Sequence, residues 1–204
     1  VEYGGSVDDN NLTVLNEAWL SKYGVSQGSG VEDWYDEVLT PQVLAAYRRP
    51  DVSVVEERGI KAVFLGHYFQ WDPEISLSVA QTHGFRPSDD GPKTGYYDFA
   101  DIDDDFISIH HWLKWYKFGF TRLFDNLSLE IRHGRMERER AIEIIKTVGA
   151  EKPQADIDAF CEFTGLSTAA FDDVCERFRN RDIWQQDAGI WKIHDFIVPD
   201  WNWS

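Results

Sequence analysis

Only one run in this 204-residue chain reads as a buried strand, and that limits the possible folds more than any other feature. It is the apolar stretch Ile60 to Leu65, bounded by Gly59 and Gly66. A lone strand cannot satisfy its own N–H and C=O groups, so it requires neighbours in a sheet. The other candidates, "FISI" and "DFIV", are weak, so partners are expected upstream of Val1. The chain itself is expected to be mostly α with one or a few strands.

The remaining periodicity is helical. Leu12, Leu15, Trp19 and Leu20 fall near helical spacing between Asn10 and Tyr23, and a second such pattern runs from Val31 to Tyr47 across Pro41. "PEISLSVAQTHGF" reads as a short helix, and "RPSDDGPKTGYYDFADIDDD" as a long loop of the kind that often carries function. His110 to Phe124 predicts a helix with His110, Lys114, Lys117 and Thr121 on one face and Leu113, Tyr116, Phe120 and Phe124 on a neighbouring one. Gly119 inside that helix costs roughly 1 kcal/mol against Ala, which a close approach of a ligand or another backbone would explain. "ERERAIEIIKTVG" predicts an amphipathic helix, and "DIDAFCEFTGLSTAAFDDVCERFRN" two helices separated by Gly165, with Ser167 or Thr168 as the second N-cap. A single domain over 1–204 is expected: 1–100 the end of an α/β sheet region, 101–204 helical.

Charge and composition narrow the partners. A formal net charge of -16 repels a phosphate backbone and argues against nucleic acid. No run of about 18 apolar residues exists, so no membrane span is expected. Cys161 and Cys175 lack the paired spacing of a zinc site or disulfide framework, which points to a reducing compartment and a cytoplasmic location. The chain begins at Val1 and its only methionine is Met136, so a preceding piece is expected.

Against that charge, "HHWLKWYKFGFTRLFDNLSLEIRHGR" gathers Lys114, Lys117, Arg122, Arg132 and Arg135 among aromatic rings. Two readings stay open: the cations offset the acidic run "DIDDD" before them, or they form an anion site. In the acidic stretch, Asp101 and Asp103 are weak metal candidates, because Phe106 stands where a calcium loop needs Gly. "LGHYFQWD", directly after the expected strand, offers Tyr68 and Trp71 as ring platforms and Asp72 as a hydroxyl acceptor for a sugar, or else simply packing residues. No nucleophile motif surrounds either cysteine, and no G-x-S-x-G occurs.

The stretch "KFGFTRLFDNLSLEIRHGRMERERAI" is more specific. Lys117, Phe118, Gly119, Phe120, Arg122, Ser128, Ile131, Gly134, Met136, Arg138, Glu139, Ala141 and Ile142 form a composite pattern. It resembles the C-terminal region of the N-acetyl sugar amidotransferase family, of bacterial surface-polysaccharide (lipopolysaccharide) and flagellar-glycan biosynthesis. "EYGG", "FLGHYFQWD", "ADIDDDFISIHHWLKWY" and "FRNRDIW" are similar to the same family.

The resemblance implies the C-terminal portion of an α/β adenine-nucleotide-hydrolase-like (PP-loop, ATP pyrophosphatase) fold. The implied reaction activates a sugar's N-acetyl oxygen with AMP from ATP and Mg2+, after which ammonia from a separate glutaminase subunit displaces AMP and leaves an acetamidino sugar. Lys117 and Arg122 are then the catalytic cations, with Lys114 assisting at the phosphates, and Tyr68, Trp71, Asp72 and His110 face a nucleotide-sugar or amino-sugar substrate. Homo-oligomerisation is compatible with this. The family's S-G-G-x-D-S loop is not in this sequence: "YGGSVDD" has Tyr3 in place of Ser and its Asp one position late. This chain alone is therefore expected not to hydrolyse ATP. The rivals are a non-catalytic helical module that binds a glycan or protein, and an inactive truncated remnant.

Overall fold

The computed structural model describes residues 30–48, 51–61, 63, 65–150 and 152–203. The chain divides into two units, Val1–Ser76 and Leu77–Ser204. The helix expected between Asn10 and Tyr23 and the "YGGSVDD" loop lie outside the described residues.

The first unit shows short elements. Where a helix was expected from Val31 to Tyr47, two 3-10 turns form instead, at Val31–Trp34 and Ala45–Tyr47. The Asp36 carboxylate accepts the N–H groups of Val38 at 2.7 Å and Leu39 at 2.5 Å, an Asx turn that competes with helix continuation. Helix α1, Val52–Glu57, starts where Asp51 accepts from Ser53 N–H. It ends with Gly59 at φ 62, and the N–H of Ile60 returns to the Val55 carbonyl at 3.0 Å. That cap occupies the start of the expected strand. Among the described residues of 60–65, Val63 alone is a bridge residue, and Leu65 already opens α2, Leu65–Tyr68. Ile60 and Val63 are exposed, so this run is not the buried strand its composition suggested. Helix α3, Pro73–Thr82, carries Pro at its first position, where the missing N–H costs nothing.

The second unit is a helical bundle: α4 Ile107–Phe118, α5 Arg122–Arg132, α6 Arg138–Val148, α7 Gln154–Thr164 and α8 Thr168–Arg177. Its buried residues come in pairs one helical turn apart. Ile157 and Cys161 of α7 meet Phe171 and Cys175 of α8 against Ile109 and Trp112 of α4. Leu123 and Leu127 of α5 meet Ala141 and Ile145 of α6 under Val198. Gly149 and Gly165 end α6 and α7, and the Ser167 hydroxyl caps α8 by accepting from Ala170 N–H at 3.2 Å, as their sequence signals predict.

The helix expected from His110 to Phe124 is two helices. Gly119 sits at φ 74 as the cap of α4, its N–H on the Trp115 carbonyl at 3.0 Å. A Cβ there would also stand 2.5 Å from Ile193 Cδ1. The glycine therefore ends a helix and admits a side chain, and Thr121 belongs to the next helix as its N-cap.

The strands that do form are β1, Trp184–Asp187, and β2, Ile190–Ile193, an antiparallel pair with Asp187 opposite Ile190. "FISI" enters α4 and "DFIV" lies in an irregular tail. Trp184 stacks edge-on to Trp115 at 5.1 Å and donates its indole N–H to the Trp115 carbonyl at 3.2 Å. Phe196 and Trp201 close over the same ring. Buried Arg179 joins α8 to this cluster, with its guanidinium 4.2 Å from the Tyr116 ring centre and 4.8 Å from that of Trp184. The described residues thus make a mostly helical molecule with one two-stranded sheet.

Candidate anion-binding pocket

A cavity of about 350 Å3 opens in the second unit between the 92–95 turn, α4, the start of α5 and the Lys152–Pro153 step. Three cations line it: Lys93, Arg122 and Lys152. Thr94, Ser108 and Thr121 add hydroxyls, and His111 and Trp112 add rings. Among the described residues no carboxylate lines the cavity, although acidic residues outnumber basic ones 36 to 20 in the chain.

The carboxylates stand behind the cations and hold them in place. Asp156 accepts from Lys93 Nζ at 3.0 Å and from the Ser108 hydroxyl. Asp101 accepts from Arg122 Nε at 3.3 Å, and Asp172 from Lys152 Nζ at 2.8 Å. Lys152 also lies 5.7 Å above the Trp112 ring. An ammonium has three donors and a guanidinium five, so one bond apiece orients these groups without exhausting them.

Backbone geometry completes the wall. Gly95, at φ 78, lets the turn press on α5: a Cβ there would strike Asn126 Oδ1 and come within 2.9 Å of Arg122 Cγ. Buried Asn126 accepts the Tyr96 N–H at 3.0 Å, which clamps the turn to the helix that carries Arg122. The α5 N-cap, Thr121, makes no side-chain capping bond, and the first N–H groups of any helix lack intrahelical partners. The start of α5 thus adds the positive end of a helix dipole to the wall.

His111 is buried, at 8% exposed, and its Nδ1 is the sole buried side-chain polar atom without a hydrogen-bond partner among the described residues. Burial holds its pKa below the ordinary 6.5, with Asp101 opposing and Arg122, His110 and Lys114 reinforcing. At neutral pH the ring is uncharged.

The structure separates the residues expected to act together. Arg122 lines the pocket, whereas Lys117 is exposed, 5.3 Å from the Phe178 ring centre. Lys114 pairs with Asp125 and lies 4.8 Å from the Phe120 ring centre, away from the lining. His110 is exposed and tilted against His111 at 5.4 Å. Asp101 serves Arg122, Asp103 is exposed, and no group of three His, Cys, Asp or Glu that could hold a metal occurs among the described residues. Tyr68 and Trp71 are 56% and 45% exposed, and with Asp72 belong to the first unit.

Sequence reasoning missed Lys93, Lys152 and Ser108. Their only signals are the loop dipeptides "PK" and "KP" and a serine in the first turn of α4, none of which announces convergence.

Fold and site define a helical domain with a cationic pocket in its wall. Residues 93–197 match the family described as "LPS biosynthesis protein WbpG-like, C-terminal domain". The match takes in just over half of the chain, and the chain belongs to this family of lipopolysaccharide-biosynthesis C-terminal domains. No curated protein matches the chain significantly. Among the described residues, no helix is long and apolar enough to cross a membrane.

Proposed function

We propose that this chain is the C-terminal part of an ATP-dependent amidotransferase that converts a sugar N-acetyl group to an acetamidino group through an adenylated intermediate and ammonia. The observation that carries the reading is the position of Arg122: it belongs to the "KFGFTR" motif, lies inside the matched family region, and lines a pocket whose charged lining residues, among those described, are all cations. Phosphoryl chemistry requires such fixed positive charge where negative charge develops on the leaving group.

In this reading Arg122 stabilises departing pyrophosphate, and Lys117, which lies outside the pocket lining beside Phe178, is the second cation of the motif. Mg2+ accompanies ATP and is held mainly by its phosphates, with Asp101 and Asp103 at most peripheral. Tyr68, Trp71 and Asp72 are the sugar-reading candidates of the first unit, and His110 is that of the second. Ammonia comes from a separate glutaminase subunit, which fits the state of the thiols: Cys161 and Cys175 are buried in the core, and burial pushes the Cys175 thiol up to about 11.

The test is ATP-dependent pyrophosphate release by the complete enzyme, the form that includes the nucleotide loop. Arg122→Gln is expected to lower it by about 100-fold or more, and Lys117→Gln by a smaller factor. Unchanged release in both variants would sink the assignment. Exposure of Tyr68, Phe69 and Trp71 favours a second reading, a non-catalytic glycan-binding module. Sugar binding that is indifferent to Arg122→Gln and lost on Trp71→Ala would select it.

A further inference from the structure

We infer that the pocket is a phosphate site in which Lys93 and Lys152 act with Arg122, and that its ligand is a diphosphate or a sugar-sized phosphate ester. The assignment to a substrate of the amidotransferase rests on the preceding proposal, whereas the phosphate chemistry does not. Three separated cations and a helix start suit a group with several oxygens and two or more charges better than a carboxylate, which one guanidinium satisfies. A cavity of about 350 Å3 is at the small end of ligand pockets, large enough for a pyrophosphate or the phosphate end of a sugar nucleotide.

The positioning carboxylates make the arrangement more than a chance cluster. Asp156, Asp101 and Asp172 each hold one cation from outside the lining, so every lining cation has a carboxylate partner that orients it. Buried His111 in the same wall is uncharged at neutral pH and does not add to the field.

The phosphate bearer has two sources, the diphosphate of a nucleotide-sugar substrate or the pyrophosphate split from ATP. Calorimetric titration of the 204-residue chain with inorganic pyrophosphate, UDP-N-acetylglucosamine and neutral N-acetylglucosamine separates them. The two phosphate ligands are expected to bind and the neutral sugar not. Lys93→Gln and Lys152→Gln should each weaken binding by about tenfold, the loss of one charge-assisted hydrogen bond. Both side chains are about one-third exposed, 32% and 37%, so the fold tolerates the changes, and Lys146→Gln, outside the lining, should bind normally.

Tighter binding of UDP-N-acetylglucosamine upholds the site and assigns it to the sugar substrate; tighter binding of pyrophosphate upholds it and assigns it to the ATP side. Failure of both to bind, or equal affinity in the Lys93→Gln/Lys152→Gln double variant, overturns the inference. A chain that binds pyrophosphate while the complete enzyme releases none from ATP would overturn the amidotransferase reading and leave the pocket standing.

Discussion

Glu130 is the buried carboxylate of α5, 4% exposed, and it shows how individual cations of the 110–135 stretch are matched. It accepts the Tyr97 hydroxyl at 2.5 Å and two Arg135 N–H groups at 2.7 and 2.8 Å. Arg135 is thereby the partner of a buried charge, while Lys114 pairs with the half-buried Asp125. Removing one partner of a buried pair weakens the compensation of the charge that stays behind, and that costs more than the pair contributes. Arg135→Ala is expected to lower unfolding free energy by about 3 kcal/mol, and the double variant Glu130→Gln/Arg135→Ala to recover part of it. Urea unfolding of the three proteins checks this. A double variant no more stable than Arg135→Ala would mean that the lost Arg135–Glu130 bonds are not the source of the loss.

Among elements, the hairpin presents the clearest conflict between residue type and backbone. Its loop is Ala188-Gly189 at φ 49 and φ 84, the two left-handed positions of a type I′ turn. Gly189 suits its place, but Ala188 holds a conformation that costs an L-residue with a Cβ roughly 1–2 kcal/mol. Ala188→Asn should therefore raise stability by about 0.5–1 kcal/mol, read as a higher melting temperature, with no change in pyrophosphate affinity. A lower melting temperature would mean that the turn is not of this type. The same turn explains why the sheet was illegible. "WQQDAGIWKI" alternates only over four residues a side, and an Ala in place of Asn or Asp removes the usual turn signal. In contrast, α6, α7 and α8 were legible because their caps are local, at Gly149, Gly165 and Ser167. Gly119 was misread for the opposite reason: a glycine inside a helix and a glycine that ends one look alike until Ile193, far along the chain, fills the space beside it. The pocket follows the same division. Arg122 belonged to a recognisable motif, while Lys93 and Lys152 reach it only through the packing of the loop and α7 against α4.

At the scale of the whole molecule, buried titratable groups of both kinds set the pH range in which the second unit is stable. On the acid side, His111 has its pKa lowered by burial from 6.5. A base with a lowered folded pKa contributes stability that is complete above its unfolded value and is lost as pH falls through it toward the folded one. The Arg179 hydrogen bond holds Glu176 below its ordinary 4.5, which adds a further loss at more acid pH. On the alkaline side, burial raises Cys175 from 9.0 to about 11 and Tyr116 from 10.0 to about 12, and raises Tyr97 from 10.0 through burial and the Glu130 bond. Acids with raised folded pKa values stabilise fully below their unfolded values, and that stability declines as pH rises from there through the folded pKa. Stability is therefore expected to be flat between about pH 7 and about pH 9 and to fall on both sides. Urea midpoints across this range measure the curve, and His111→Gln separates its causes. The variant should lose the part of the decline below about pH 7 that His111 supplies, while keeping the alkaline limb set by Cys175 and the two tyrosines. A variant whose acid limb runs parallel to that of the unsubstituted chain would remove His111 as the cause and leave the Glu176–Arg179 pair to account for it.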